Sequence, residues 1–199
     1  MTADLRVCCA GDSFVAGVGD PAASGWVGRL AVRSLRAGLA LTVSNLGVRR
    51  DTSSDVRGRW LPECIARFPA GCVPGVVLAF GVNDTTIEAG RPRTAPDDSV
   101  ANLRHLLGEA RSRGWRMLVA GPPPIADEDQ NARIAVLDHR FAAVCAEASV
   151  GYVPVFAALL GDPVWLPEVR AGDGAHPAAA GYDRLAALIG PAWDDWLTR

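Results

Sequence analysis

Short β-rich apolar runs alternate with longer segments of helical periodicity, and this alternation constrains the fold of the chain more than any other feature. Each of five runs is long enough for one buried strand. The runs cover residues 5–9, 41–44, 76–80, 117–120 and 152–155. Parallel neighbours need crossover connections, which are usually helices. The pattern therefore predicts an α/β fold, a three-layer α/β/α sandwich with a central, mainly parallel five-stranded sheet.

Apolar residues recur at helical spacing between these runs. The predicted helical segments lie within residues 26–35, 56–65, 100–107 and 134–144, with a final helix over about 178–189. Trp193 and Trp196 stand three residues apart, so we expect them to share one face of a short C-terminal helix. Packing against the body of the protein is the expected role of this pair, and a homodimer contact is the alternative.

Length and composition favour a single soluble domain over residues 1–199. The chain has 199 residues, of which 49% are hydrophobic and 21% are charged. A net charge of −2 offers no polybasic surface for nucleic acid or anionic lipid, so a small molecule is the expected partner.

The N-terminus and the cysteines favour a cytoplasmic location. Residues 1–6 run directly into a short apolar stretch, and no apolar span approaches the length of a membrane helix, so no export or membrane insertion is expected. The chain contains five cysteines without zinc-site spacing. We expect reduced thiols, with a Cys64–Cys72 disulfide as the alternative.

Polar motifs follow three of the predicted strands, and a fourth precedes the last helix. Ligands of parallel sheets bind at the carboxyl ends of the strands, so these motifs mark the place to seek chemistry. The motifs are Gly11-Asp12-Ser13-Phe14, Asn45-Leu46-Gly47, Gly81-Val82-Asn83-Asp84 and Asp173-Gly174-Ala175-His176-Pro177.

A catalytic triad is predicted from Ser13, His176 and Asp173. Ser13 falls at a strand-to-helix turn, and a serine nucleophile needs a neighbouring base. His176 lies in a predicted loop, whereas His105 and His139 lie in helices and are expected to face solvent. Asp173 precedes His176 by three residues, a spacing at which a turn brings its carboxylate to the imidazole.

An oxyanion hole is predicted from the backbone N–H groups of Ser13 and Gly47 and the side-chain amide of Asn83. Acyl transfer requires donors aimed at the oxygen that becomes negative. Each motif also has a plain structural interpretation: Gly47 as a turn glycine, Asn83 as part of a helix cap, and Asp173 as part of a turn. It is the combination in this order that favours an active site.

At these residues the sequence resembles the SGNH hydrolase family, also called GDSL lipases or esterases, whose blocks supply Ser, Gly, Asn and His. The match covers nearly the whole chain, with Phe14 where the family often has leucine. The resemblance implies the flavodoxin-like SGNH fold and a hydrolase that acts through an acyl-enzyme, with no metal or cofactor.

Three further residues are candidates for substrate binding. Arg49 and Arg50 follow Gly47, where guanidinium groups could hold an anionic substituent; exposure to solvent or pairing with Asp51 or Asp55 is the alternative. Pro123 belongs to a proline-rich loop after the fourth strand, which could wall the site and favour small acyl groups.

Hydrolysis of a small carboxylic ester is the expected function, and several alternatives remain open. Within the family they are carbohydrate O-deacetylation, thioester hydrolysis and lysophospholipid hydrolysis. A non-catalytic binding module is the alternative of another class.

Two other motifs are incomplete in this sequence. Gly17 and Gly19 lack the third glycine of a dinucleotide-binding fingerprint, and Val15 stands where the G-x-S-x-G elbow of other hydrolases has its last glycine. The acidic run 127–129 is expected to be a solvated loop.

Overall fold

The computed structural model describes residues 4–198, arranged as alternating strands and helices. In chain order the elements are β1 (Leu5–Gly11), α1 (Ser13–Ala16), α2 (Gly25–Arg36), β2 (Leu41–Gly47), α3 (Ser53–Ile65), β3 (Val73–Ala79), a 3₁₀ turn (Asn83–Thr85), β4 (Ile87–Glu88), β5 (Arg91–Pro92), α4 (Pro96–Ser112), β6 (Arg116–Ala120), α5 (Glu128–Ala148), β7 (Gly151–Val153), α6 (Phe156–Leu160), α7 (Trp165–Ala171) and α8 (Ala179–Thr198).

Five of the strands form a parallel sheet in the order β2-β1-β3-β6-β7. Strand order reverses between the two neighbours of β1, so the end of β1 is a topological switch point, where parallel sheets bind ligands. The register pairs Gly11 with Gly47 on one side and with Ala79 on the other. The carboxyl ends of these three strands therefore lie level.

Both faces of the sheet are covered, as expected for parallel strands. Consecutive residues of β1 point to opposite sides: Cys9 belongs to one buried cluster and Cys8 to the other. The first cluster includes Trp26, Leu30, Trp165, Tyr182 and Trp193, and the second includes Trp60, Leu103, Leu106, Phe141 and Val144. The three-layer α/β/α prediction is confirmed.

The C-terminal helix is longer than predicted. Instead of ending near Ile189 it continues through Pro191 to Thr198. The reason is that the apolar face continues: Trp193 is buried and its indole N–H donates to Ser34 Oγ at 2.8 Å, while the ring of Trp196 lies against Gly75. Both tryptophans thus pack within the chain, as the first interpretation of this pair held.

Short elements and two apolar side chains depart from the sequence-based prediction. The β4–β5 hairpin and helices α1, α6 and α7 are too short to carry a periodic signal. Leu35 and Ile65, the last apolar residues of the predicted helical segments 26–35 and 56–65, are about half exposed. All five cysteines are free thiols, so Cys64 and Cys72 are not joined. None of the helices between residues 4 and 198 combines the length and apolar character that crossing a bilayer requires.

Candidate active site

Ser13 is the first residue of α1, directly after the end of β1. Asp12 caps this helix, and its carboxylate accepts the N–H of Phe14 at 3.0 Å. First-turn N–H groups have no partner within a helix, so the backbone N–H of Ser13 is available to a ligand. Ser13 is buried, and α1 ends after one turn at Gly17, which has a φ of 79°. The strand-to-helix turn predicted from Gly11-Asp12-Ser13 is therefore present.

Close backbone packing explains the glycine on each strand beside this turn. A Cβ on Gly11 would lie 1.8 Å from the carbonyl oxygen of Ala79 on β3. A Cβ on Gly47 would lie 2.1 Å from the backbone nitrogen of Ala16. Real Cβ contacts are never this short, so larger residues would push β1, β3 and α1 apart. The two glycines let the serine turn sit directly on the strand ends.

His176 brings its imidazole to Ser13 from the loop between α7 and α8. Its Nε2 lies 2.7 Å from Ser13 Oγ, and its Nδ1 lies 2.8 Å from Asp173 Oδ2. The ring of Phe14 packs against the imidazole with 4.9 Å between centroids. With the Nδ1–H donating to Asp173, Nε2 is free to accept the serine proton. The structure thus brings the three predicted triad residues together.

Asp173 is held as an anion by the turn it begins. Its Oδ1 accepts the backbone N–H of Ala175 at 3.0 Å and that of His176 at 2.9 Å. Burial acts to raise the pKa of Asp173, but these N–H groups and the imidazole outweigh it and lower the pKa to about 2. The carboxylate can therefore orient the ring and stabilise its protonated form throughout the neutral range.

Asn83 opens the 3₁₀ turn after β3 and is held there by its neighbours. Its Nδ2 donates to the backbone carbonyl of Asp51 at 2.9 Å. Gln130 of α5 donates to the carbonyl of Val82 at 2.9 Å and so fixes the start of the turn. An amide nitrogen carries two N–H groups, so one remains to donate to a substrate oxygen. This geometry suits the predicted role of Asn83 as an oxyanion donor.

The N–H of Gly47 has a hydrogen-bond partner within the chain. Its N–H donates to the side-chain oxygen of Asn45 at 2.9 Å, and the amide nitrogen of Asn45 donates to Val15 O at 2.7 Å. The Asn45 side chain therefore links the end of β2 to α1, and its oxygen accepts the Gly47 N–H that was expected to face an oxyanion. Gly47 also packs closely against α1, and its role as an oxyanion donor stays a prediction.

The two arginines have different partners from those considered. A guanidinium nitrogen of Arg49 lies 3.5 Å from Asp173 Oδ2, next to the triad, whereas that of Arg50 lies 2.8 Å from Glu88 Oε1. Neither arginine pairs with Asp51 or Asp55. Arg50 also has a φ of 71°, a left-handed conformation that is costly for a residue with a side chain. The side chains of both arginines are well exposed, so Arg49 is the one placed beside the site.

Pro123 lies inside the protein rather than at a substrate-facing wall. It is buried and lines a small internal space of about 10 Å³, which it shares with Asp12 and Phe14. The neighbouring Pro124 accepts the indole N–H of Trp165 through its carbonyl. The proline-rich loop thus supports the site from the protein interior, because its apolar rings pack into the core. Direct contact of Pro123 with a substrate stays a prediction.

Two buried carboxyls flank the site residues. Asp12 and Asp84 are each 1% exposed, and each leaves its Oδ2 without a hydrogen-bond partner among residues 4–198. Burial raises the pKa of Asp12 to about 7 despite the hydrogen bond from Phe14, and the nearby carboxylates of Asp84 and Asp51 raise it further. Burial likewise raises the pKa of Asp84. Both groups therefore favour the protonated form far more than an exposed aspartate does.

The remaining charged and histidine candidates lie elsewhere. His105 and His139 are exposed on helices, as predicted. The acidic run differs: Asp127 caps α5 by accepting the N–H of Gln130, and the next two acids form the first turn of that helix. Among residues 4–198 no group of three or more His, Cys, Asp or Glu side chains is placed to hold a metal ion.

Sequence reasoning missed Asn45, Asp51 and Arg59. Asn45 was quoted as part of a motif without a role, and Asp51 was considered only as an ion-pair partner. Asn45 stands two residues before Gly47, and Asp51 directly follows Arg50. These positions were the available signal. Arg59 gave no signal, because a charged residue in a helix is ordinarily solvated.

Comparison with known proteins identifies the family of the chain. The sequence matches the GDSL-like Lipase/Acylhydrolase family over residues 9–184. The chain belongs to this family. The match spans all the residues of the site, from Ser13 to His176, which supports a hydrolase. Among curated proteins, no sequence matches the chain significantly.

Solved structures resemble this family member over nearly its whole length. A lipase/acylhydrolase from Enterococcus faecalis has a TM-score of 0.77 at 26% identity, with 94% of each chain covered. TesA has a TM-score of 0.76 at 27% identity, covering 96% of this chain and 99% of its own. The acetylxylan esterase Axe2 from Geobacillus stearothermophilus has a TM-score of 0.76 at 20% identity, covering 94% of this chain and 93% of its own, and indicates the fold alone.

Proposed function

We propose that this GDSL-family hydrolase is a serine esterase that cleaves a carboxylic ester of a small substrate through an acyl-enzyme on Ser13. The observation that carries the proposal is the hydrogen-bonded chain from Ser13 Oγ through the His176 ring to Asp173. A serine, an oriented base and an anion in this order are the requirements of nucleophilic acyl transfer. The adjacent N–H of Ser13 and amide of Asn83 supply donors for the oxyanion.

In the first half of the reaction, Ser13 Oγ attacks the ester carbonyl while its proton moves to His176 Nε2. The carbonyl oxygen becomes negative and accepts hydrogen bonds from the Ser13 backbone N–H and the Asn83 amide. As the intermediate collapses, the bond to the alcohol breaks, and His176 returns the proton to the departing alkoxide. The products are a free alcohol and an acyl group bound to Ser13.

In the second half, water replaces the alcohol. His176 accepts a proton from water, which attacks the acyl carbonyl, and the same donors hold the second oxyanion. Collapse breaks the bond to Ser13 Oγ, which regains its proton from His176, and the carboxylic acid leaves. Asp173 stays ionised throughout, because its pKa of about 2 lies far below neutral pH.

A p-nitrophenyl ester series from acetyl to palmitoyl tests the proposal. We expect hydrolysis that peaks at one chain length and falls by several orders of magnitude in Ser13→Ala. Ser34→Ala is the matched control, because Ser34 is also a buried serine but accepts the indole N–H of Trp193 at a distance from the site. Turnover that survives in Ser13→Ala would contradict the proposal. A thioester and an acetylated sugar, assayed in parallel, separate the neighbouring family activities.

A non-catalytic binding module on the same fold is the second candidate. The complete triad argues against it, because a module without turnover has no need for a histidine at 2.7 Å from a buried serine hydroxyl. Binding of the ester series without product release in the wild-type protein would favour this alternative.

A further inference from the structure

Arg59 reaches from α3 across the carboxyl ends of two neighbouring strands. One terminal nitrogen, Nη2, donates to the carbonyl of Gly11 at the end of β1 and to that of Leu46 near the end of β2, each at 2.9 Å. The side chain is about four-fifths buried. Its guanidinium therefore bridges the two strands at the point where the serine turn begins.

The same guanidinium also binds two carboxylates. Nε donates to Asp51 Oδ2 at 2.6 Å, and Nη1 donates to Glu63 Oε2 at 2.9 Å. Glu63 lies one helical turn further along α3, so its contact with Arg59 is a pair within the helix. Asp51 lies in the loop that leads from β2 into α3.

Asp51 connects Arg59 to Asn83. The carboxylate of Asp51 is held by Arg59, and its backbone carbonyl accepts the Nδ2 of Asn83 at 2.9 Å. On the other side, the Gly11 carbonyl that Arg59 binds lies two residues before Ser13. One cation thus holds both the strand exit that carries the Ser13 N–H and the residue that orients the Asn83 amide.

We propose that Arg59 is a positioning residue of the oxyanion hole, fixing the distance between the Ser13 N–H and the Asn83 amide. This inference rests on the proposed esterase function. Arg59 touches neither Ser13 nor Asn83 and acts through Gly11 and Asp51. Its planar fork binds several acceptors in fixed directions, whereas the single ammonium of a lysine cannot hold two strand carbonyls and a carboxylate together.

The test measures kcat and KM for the best p-nitrophenyl ester in Arg59→Met, Arg59→Lys and Glu63→Gln. Misplacement of oxyanion donors weakens the transition state more than substrate binding, so we expect kcat to fall roughly 10- to 100-fold in Arg59→Met with little change in KM. Arg59→Lys should recover part of that loss. Glu63→Gln is the control, since it removes the negative charge of the other carboxylate partner of Arg59 and leaves the contacts with Gly11, Leu46 and Asp51 in place.

A double-mutant cycle with Asn83→Ala separates positioning from general stability. If Arg59 acts through Asn83, adding Arg59→Met to Asn83→Ala should cost clearly less in kcat than adding it to the wild-type protein. Full additivity, an unchanged kcat in Arg59→Met, or an equal loss in Glu63→Gln would each overturn the inference. If Arg59→Met does not fold, the same cycle with Arg59→Lys gives the answer. Ser13→Ala reports on the proposed function independently, so the two failures can be told apart.

Discussion

Ser13 Oγ and His176 Nε2 lie 2.7 Å apart, although the two residues are separated by 163 positions in the sequence. The contact forms because β1 places Ser13 at the switch point of the sheet, while the turn before α8 folds His176 back over it. Phe14, the residue after the serine, supports the imidazole by packing against its ring. The triad is therefore a product of topology: one turn supplies Ser13, and a second turn, far away in the sequence, supplies both Asp173 and His176.

Replacing Asp173 with asparagine should cost turnover rather than stability. The amide cannot stabilise the imidazolium and can favour the wrong tautomer of His176. Because the Asp173 side chain is 43% exposed, water can replace part of its effect, and we expect kcat to fall by roughly 10²- to 10⁴-fold. Steady-state kinetics with KM measured separately checks this. A change confined to KM would count against the triad.

Replacing Asn83 with alanine should lower kcat by roughly 10²- to 10³-fold, which is the usual effect of losing one oxyanion donor. Asn83→Asp is the matched variant, because it keeps the size of the side chain but replaces the donors with a negative charge. We expect its loss to be at least as large. If Asn83→Asp were as active as the wild-type enzyme, the residue could not be an oxyanion donor.

The fold and the triad were predictable because they depend on local patterns. Five apolar runs and the helices between them identified the layers, and the alternation implied a parallel sheet whose ends must meet. Asp173 and His176 were recognisable because a three-residue spacing is enough to pair them. Their approach to Ser13 followed from the rule that ligands bind at strand ends.

The finer contacts of the site could not be predicted, since they depend on side-chain directions across the sheet. Gly47 lies where expected, but the side chain of Asn45 turns back to take its N–H. Arg49 points to Asp173, and Pro123 points inward. Arg59 contacts residues 13 and 48 positions away through its side chain. No periodicity or motif reports on such contacts.

Gly11→Ala should destabilise the protein strongly, because the added methyl would meet the Ala79 carbonyl oxygen at 1.8 Å. We expect a loss of about 1–3 kcal/mol or more in the free energy of unfolding, the usual range for overpacking. Gly58→Ala is the control: Gly58 lies inside α3 with open space at its Cβ, so alanine should stabilise by about 0.5–1 kcal/mol. Urea unfolding of both variants and of the wild-type protein is the measurement. Equal free energies of unfolding for Gly11→Ala and the wild-type protein would contradict the close packing at Gly11.

Asp12→Asn should become relatively more stable as pH rises. The pKa of Asp12 is about 7 in the folded protein against an ordinary value of 3.8, so the contribution of Asp12 to the stability of the wild-type protein becomes less favourable as pH rises from about 4 to about 7. Asparagine does not ionise and still accepts the Phe14 N–H. Urea unfolding across that interval should show a growing difference in favour of the variant. Asp127→Asn, at an exposed helix cap, is the control for replacing a carboxyl group with an amide. A difference in the free energy of unfolding between Asp12→Asn and the wild-type protein that stays constant with pH would contradict the raised pKa of Asp12.

Arg49→Ala should impair hydrolysis of anionic esters more than of neutral ones, if its exposed guanidinium binds an anionic substituent beside Asp173. Arg50→Ala is the matched control, because Arg50 is equally exposed and pairs with Glu88 instead. The ratio of kcat/KM for a succinyl and a butyryl ester is the measurement. An unchanged ratio in Arg49→Ala would exclude the residue from substrate selection.

Covalent labelling with a fluorophosphonate is the most direct test of Ser13 as the nucleophile, because the probe reacts with an activated serine whatever the natural ester is. The protein is labelled, digested and mapped by mass spectrometry, beside Ser13→Ala and His176→Ala. We expect one adduct on the peptide that contains Ser13, absent in Ser13→Ala and much slower to form in His176→Ala. An adduct on another residue, or an unlabelled wild-type protein that still hydrolyses esters, would contradict this role of Ser13.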